Sequence, residues 1–481
     1  MKKTGGILIA SFILIIGGLL FLFMRNNASP MSMMNSASSN SLKNEAAPVG
    51  ETPLPIPPLL KDQNPDPNKA EFQLTAQQGT MEFFKGKKTE TYGYNGNYLG
   101  PVIRVHKGEE VSIKVKNNLK ESTTVHWHGL EVNGNQDGGP HQGIQPGQTW
   151  NPQFTINQPA ATLWYHPHLL NKTAEHVYKG LAGLFYIDDD VSDRLNIPKD
   201  YGKNDIPLVI QDRNFNSDST FEYKLGMHDI MMGLQGNTIL VNGAVNPYLN
   251  VPAGKVRLRL LNGSNARTYA FRLSNNQQFY QIASDGGLLP SPVPMTKVVL
   301  GAGERAEIIV DFSSLKKGDS LYLMNQDAKF LKFVVNNQQP RTFDLPAKLV
   351  DFPKMNESAA VRTRQFVFQG MGSNVNINGK QMDMNRIDEQ LKLHDTEIWE
   401  ISNESGGMAH PFHAHGVQFQ ILDRDGNPPP ANEAGWKDTI LINPGEKVRA
   451  IATFDHSGTF MFHCHILEHE DAGMMGQFKV Q

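Results

Sequence analysis

Short runs in which apolar and polar residues alternate dominate the chain from about residue 70 onward. Val111, Ile113 and Val115 alternate with Ser112, Lys114 and Lys116. Val256, Leu258 and Leu260 alternate with Arg257 and Arg259, and Val448, Ala450 and Ala452 repeat the pattern more weakly. A period of two puts one set of side chains on each face of a strand, so these runs predict half-buried strands of β-sandwiches. Gly and Pro (43 and 29 of 481 residues) punctuate the runs and few stretches carry a helical period, which favours an all-β chain. One stretch departs from this. After Lys2 and Lys3 comes an apolar run over residues 5–24 containing ILIASFILIIGGLLFLF. It is long for a signal-peptide core and close to the length of a membrane span. Two lysines before it against Arg25 after it place the N-terminus inside. Residues 1–25 are therefore read as a signal or membrane anchor, uncleaved rather than removed. Residues 26–68, rich in Ser, Asn, Pro and Ala, are read as a flexible linker. The globular part is then expected to be extracytoplasmic, secreted or anchored to the outer face of the cell membrane.

A turn, QPGQT at 145–149, returns as GAGER at 301–305 and as NPGEK at 443–447. Three copies predict three sandwich domains, at 69–192, 203–345 and 360–481, with the stretch 343–360 as a linker before the third. The first and third copies share more. TLWYHPH (162–168) parallels TFMFHCH (459–465), and HWHG (126–129) parallels HAHG (413–416), so each of these domains presents two His-X-His pairs on corresponding strands. The first has Pro167 where the third has Cys464, Lys172 in place of His469, and Thr123 in place of His410. The second has one histidine, His228, and no pair. It is read as structural, or as shaping a substrate surface.

Charge and chemistry narrow the function. A net charge of −3 with no basic stripe excludes nucleic acid as a partner. The only cysteine, Cys464, lies in HCHILEHEDAGMM (463–475), with His469 five residues on and Met474 ten residues on. A thiolate, an imidazole and a distant thioether suit a blue copper electron-transfer site. On a strand, His463 and His465 point together, away from Cys464. One peptide could thus ligate a copper on one side and a further metal centre on the other, and conduct between them. The four His-X-His pairs supply eight imidazoles with no carboxylate among them, which suits copper rather than magnesium or calcium. Eight ligands are too many for one metal and fit three. Zinc could use a single pair but not the Cys-His-Met set.

With HWHG, WYHPH, HPFHAHG and HCHILEHEDAGMM all present, the globular region resembles the multicopper oxidases, of the bacterial three-domain laccase and copper-efflux oxidase type. The resemblance implies three cupredoxin-like Greek-key sandwiches and four coppers per chain. Type 1 copper would take His410, Cys464 and His469 with Met474 axial, and type 2 copper His126 and His413. One type 3 copper would take His128, His166 and His463, the other His168, His415 and His465. A donor's electron would enter at type 1 copper and cross Cys464 to the three-copper cluster, where O2 is reduced to water. Asp137, nine residues after His128, and Glu470 match acidic positions of the family and are read as a proton relay. Expected donors are phenols and aromatic amines, with Cu(I) or other metal ions as further donors. Met408 matches a methionine of the copper-efflux oxidases, but Gly406 stands where they carry an aspartate, and their methionine-rich insertion in the third domain is absent. GMHDIMM (226–232) offers a different soft patch, or packing over a core. A copper-storage protein, a metal-free structural relative and a copper nitrite reductase are the other classes. The first needs no thiolate strand wired to a second cluster, the second should have lost ligands, and the third cannot use eight paired histidines. The chain is expected to act as a monomer on O2 and a donor, attached to the membrane by its N-terminal segment if that is uncleaved.

Overall fold

The structure, a computed structural model, describes residues 50–336 and 342–481, so the expected anchor (1–25) and the first part of the expected linker lie outside the described residues. Six sheets fall, in chain order, into three pairs, and each pair encloses one apolar core. In each sandwich the first strand runs parallel to a later one. Lys69–Phe84 pairs with Glu110–Asn117, Asp205–Arg213 with Lys255–Asn262, and Arg362–Gln369 with Thr396–Asn403. The internal repeat read from the turns is thus a repeat of topology. Alternation does what it predicts in the first sandwich. Phe72 sits opposite Ile113 and Leu74 opposite Val115, all buried, each burial stabilising by roughly 1.5–3 kcal/mol.

Two expectations need correction. The strand Lys255–Asn262 is buried on both faces. Arg257 pairs with Glu307, and Arg259 makes 2.7 and 2.8 Å bonds to Asp205 and a 3.0 Å bond to Thr162 of the first sandwich. Charges leave water at such a seam only when they are paired in this way. Likewise, residues 50–60 are no free tether. Leu54 enters the core of the second sandwich, its N–H donating to the Tyr248 carbonyl at 2.7 Å, and the Leu60 N–H donates to the Val102 carbonyl of the first at 2.8 Å. The prolines at 53, 55, 57 and 58 that suggested a linker instead hold an extended strap whose intervening apolar residues pack. Among the described residues no helix is long and apolar enough to cross a membrane.

Candidate metal centre

The paired histidines meet where the first and third sandwiches face one another. The strand His126–His128 lies antiparallel to Ala161–His166, with His126 opposite His166. In the third sandwich, His413 of His410–Ala414 lies opposite His463 of Gly458–Cys464. Strand alternation then sorts the side chains. Trp127 joins the core of the first sandwich, and Phe412, Ala414 and Cys464 join the core of the third. His126, His128, His413 and His415 project the other way, into a common buried space. Two inter-domain ring pairs are stacked at 3.7 Å, His126 on His415 and His128 on His413. The Nε2 of His463 lies 3.0 Å from that of His168 and 3.2 Å from that of His415.

A second cluster lies inside the third sandwich. His410 Nδ1 is 3.2 Å and His469 Nδ1 3.9 Å from Cys464 Sγ. Met474 is buried in the same core, and its carbonyl accepts the Cys464 N–H at 3.0 Å. The far nitrogens are occupied: His410 Nε2 meets Ser405 Oγ at 2.7 Å, and His469 Nε2–H donates to the Met231 carbonyl at 3.0 Å. That fixes which nitrogen faces the sulfur. Burial pushes His410 down to about 3 and His469 to about 4, so both rings are neutral, and it pushes the Cys464 thiol up.

Around the larger cluster the same device recurs. Nδ1–H of His126 donates to the Asp137 carbonyl (3.0 Å), of His166 to the Pro167 carbonyl (2.8 Å), of His413 to the Asp438 carbonyl (2.8 Å) and of His463 to the Cys464 carbonyl (3.0 Å). His415 Nδ1 meets Asp137 Oδ2 at 2.8 Å. His128 is reversed. Its Nε2–H is held by Asp438 Oδ1 and its Nδ1 faces inward, 3.4 Å from His166 Nε2.

The profile of the multicopper oxidase family matches residues 75–192 and 350–481, the two sandwiches that carry the histidine pairs. The multicopper oxidase mco of Staphylococcus haemolyticus is 45% identical over 453 residues, 94% of this chain and 97% of its own. The chain belongs to the multicopper oxidase family. A crystal structure of a laccase from Pediococcus acidilactici is 41% identical, with a TM-score of 0.87 over 92% of this chain and 98% of its own. The cell division protein FtsP of Photorhabdus laumondii is 35% identical, over 89% of this chain and 92% of its own.

This multicopper oxidase is an oxidoreductase of cupredoxin-like sandwiches whose cofactor is copper, and its residues fit that metal. The Nε2 atoms of His126 and His413 and both ring nitrogens of His465 are buried without any hydrogen-bond partner. Orphaned imidazole nitrogens of this kind are costly unless a cation takes their lone pairs.

The structure brings all twelve expected ligands to these two clusters, but it exchanges two of them. His463 groups with His168 and His415, whereas the His465 ring lies 5.0 Å from that of His128 and 5.4 Å from that of His166. Alternation gives the shared face of His463 and His465 but not which neighbour each meets. His465 lies beyond the strand's end, its N–H donating to the Pro411 carbonyl, and its ring rests on Gly303. Asp137 and Glu470 are both buried. Glu470 Oε2 lies 3.2 Å from His463 Nδ1, its Oε1 lies 3.6 Å from His168 Nδ1, and burial holds its carboxyl well above the usual range.

Sequence reasoning missed Asp438, which touches His128 and His413, and Arg305, which grips Asp438. Only their position in the fold gives them away, although an arginine heading the apolar strand Arg305–Asp311 was a signal. It also missed the helix Leu467–Asp471, which joins all three sandwiches. Asp471 caps Thr173 and Ala174 of the first, Glu468 binds Leu234 and Asn265 of the second, and His469 reaches Met231. In the first sandwich the counterpart of the sulfur site is filled by ordinary polar pairing, Thr123 Oγ1 lying 3.2 Å from His176 Nδ1.

Proposed function

We propose that this multicopper oxidase is laccase-like, coupling one-electron oxidation of phenols and aromatic amines to the four-electron, four-proton reduction of O2 to two waters. The observation that carries this reading is the placement of Cys464 between His463 and His465. One three-residue peptide joins the thiol cluster to the eight-imidazole cluster, and the His463 bond to the Cys464 carbonyl shortens the path. A storage protein has no use for that wire. Likeness to the Pediococcus laccase supports the choice of donor. When bound, copper supplies the one-electron steps and the site of dioxygen reduction. In this reading His410, Cys464, His469 and Met474 would hold type 1 copper, and His126 and His413 would hold type 2 copper. His128, His166 and His465, and His168, His415 and His463, would hold the paired type 3 coppers. We take 69–192, 203–345 and 360–481 as the domains of an extracytoplasmic monomer.

Cu(I) is the second donor reading. The helix Met227–Met232 has no buried residue, Met227 is 81% exposed, and the Met231 carbonyl caps the outer edge of His469. Thioethers over the electron-entry ligand suit a soft cation. Oxygen uptake by copper-saturated protein, compared for a methoxyphenol, Cu(I) and Fe(II), decides between them. The laccase reading expects the highest kcat/KM with the phenol. Turnover of Cu(I) alone would replace it with the second reading, and no uptake with any donor would sink both.

Glu470 and Asp137 have different tasks in this scheme. Glu470, kept protonated by burial beside His168 and His463, delivers protons, whereas Asp137 orients His415. Glu470→Gln keeps the shape and cannot give up a proton. Its kcat is expected to fall about 100-fold, while the blue absorbance and the rate at which a donor bleaches it stay unchanged. Slowed bleaching would place Glu470 in electron entry instead.

A further inference from the structure

The second sandwich supplies no candidate ligand to either cluster, yet one of its turns reaches the imidazole cluster. In the first and third sandwiches the glycine of the repeated turn, Gly147 or Gly445, has open space where a side chain would go. At Gly303 an added Cβ would stand 2.9 Å from three atoms of the His465 ring, at a φ of +85°. The turn that is free surface in two copies is here an interior contact.

Two residues on, Arg305 is fully buried and uses the whole donor capacity of a guanidinium. Its Nε–H donates to the Thr162 carbonyl at 3.0 Å. Its Nη1 donates to the Gly303 carbonyl at 3.1 Å and to Asp438 Oδ1 at 2.7 Å. Its Nη2 donates to the Asp285 carbonyl at 3.0 Å and to Asp438 Oδ2 at 2.6 Å. The acceptors come from all three sandwiches. Asp438, gripped by the fork, takes the Nε2–H of His128 on its carboxylate at 3.0 Å and the Nδ1–H of His413 on its carbonyl at 2.8 Å. These two rings are one of the two stacked pairs that bridge the domains. Asp438 thus holds His128 with Nδ1 inward and His413 with Nε2 inward. Gly129, directly after His128, is required by the same contact, since a Cβ there would meet Asp438 Oδ2 at 2.6 Å and Arg305 Nη2 at 2.9 Å.

We infer that Arg305 is a positioning residue of the oxygen-reducing centre: through Asp438 it sets the orientation and tautomer of His128 and His413, so that the ligand-free second sandwich controls whether the imidazole cluster closes on copper. A lysine keeps the charge but offers a point donor in place of a planar fork and cannot serve five acceptors.

The inference rests on the copper reading above, and the test separates the two. Wild type, Arg305→Lys and Asp438→Asn are loaded with copper and compared for copper per chain, blue absorbance and O2 uptake. A blue wild type with about four coppers upholds the underlying reading; a colourless one would defeat that reading first. In both variants copper is expected to fall to between about one and two per chain and O2 uptake by at least about tenfold, with the blue absorbance unchanged, because no atom of the Arg305 and Asp438 network touches His410, Cys464 or His469. Arg259→Lys is the control. It disturbs an equally buried ionic seam of the same sandwich, paired with Asp205 and Thr162, away from the imidazoles. It should lower Tm yet keep full copper. Full copper in Asp438→Asn, full copper in a folded Arg305→Lys, or equal copper loss in Arg259→Lys each overturns the inference.

Discussion

Cys464→Ser is expected to yield a folded, colourless protein with one copper fewer per chain and O2 uptake reduced by roughly 1000-fold or more, equivalent to about 4 kcal/mol or more at the transition state. Cys464 is completely buried, and the cavity left by oxygen in place of sulfur is small. His410 Nδ1, now 3.2 Å from the sulfur, is placed to pair with the new hydroxyl, so no orphaned polar group unfolds the core. On the proposed ligand set, what is lost is the soft anionic ligand and, with it, the entry to the peptide leading to His463 and His465. Spectra, copper analysis and an oxygen electrode read the three consequences separately. A colourless variant that still consumes O2 at the wild-type rate would show that electrons reach the imidazole cluster by another road.

Removing copper is expected to make the fold acid-sensitive. In the metal-free chain burial holds His410 and His465 down to about 3 and His469 to about 4. The unfolded chain protonates such rings at about 6.5. Below that value the unfolded state binds more protons than the folded one, so stability falls as pH falls. By pH 4.5 these three rings alone cost about 8 kcal/mol at 1.36 kcal/mol per ring and pH unit. Glu131, Glu468 and Asp471, raised to about 7 by burial, and Glu470, raised further, act the other way and offset about 11 kcal/mol over the same window. Six further rings held well below their usual value, His128, His166, His168, His413, His415 and His463, decide the sign. Against a typical total stability of about 5–15 kcal/mol this is decisive. A metal-bound nitrogen cannot take the proton. Tryptophan fluorescence followed on acidification should therefore show the chelated protein unfolding at least about one pH unit above the copper-loaded one. Coincident midpoints would mean that the rings gain no protection from the metal.

The sandwiches and the site were readable in the sequence wherever a local period decided them. Alternation at Val111, Ile113 and Val115 gave strands and their buried face, and the same rule put Cys464 and its two histidines on opposite sides of one strand. What escaped depended on distant parts of the chain. Arg257 and Arg259 look solvated until Glu307 and Asp205 are found beside them. His463 and His465 share a face, but their neighbours are set by how two domains dock. Asp438 lies in no motif, Arg305 only closes a repeated turn, and 133 residues separate them. Residues 50–60 have the composition of a spacer and the contacts of a strap, because four prolines prepay the ordering of an extended segment.

The helix Leu467–Asp471 has a bearing on biosynthesis. Its side chains fasten to all three sandwiches, and it lies almost at the end of the chain. Of the ten imidazoles in the two clusters, four are made before residue 170 and six only after residue 409. Neither cluster can be completed before residues 463–469 are made, and the imidazole cluster also needs the first and third sandwiches to dock, so full copper loading is expected only after both.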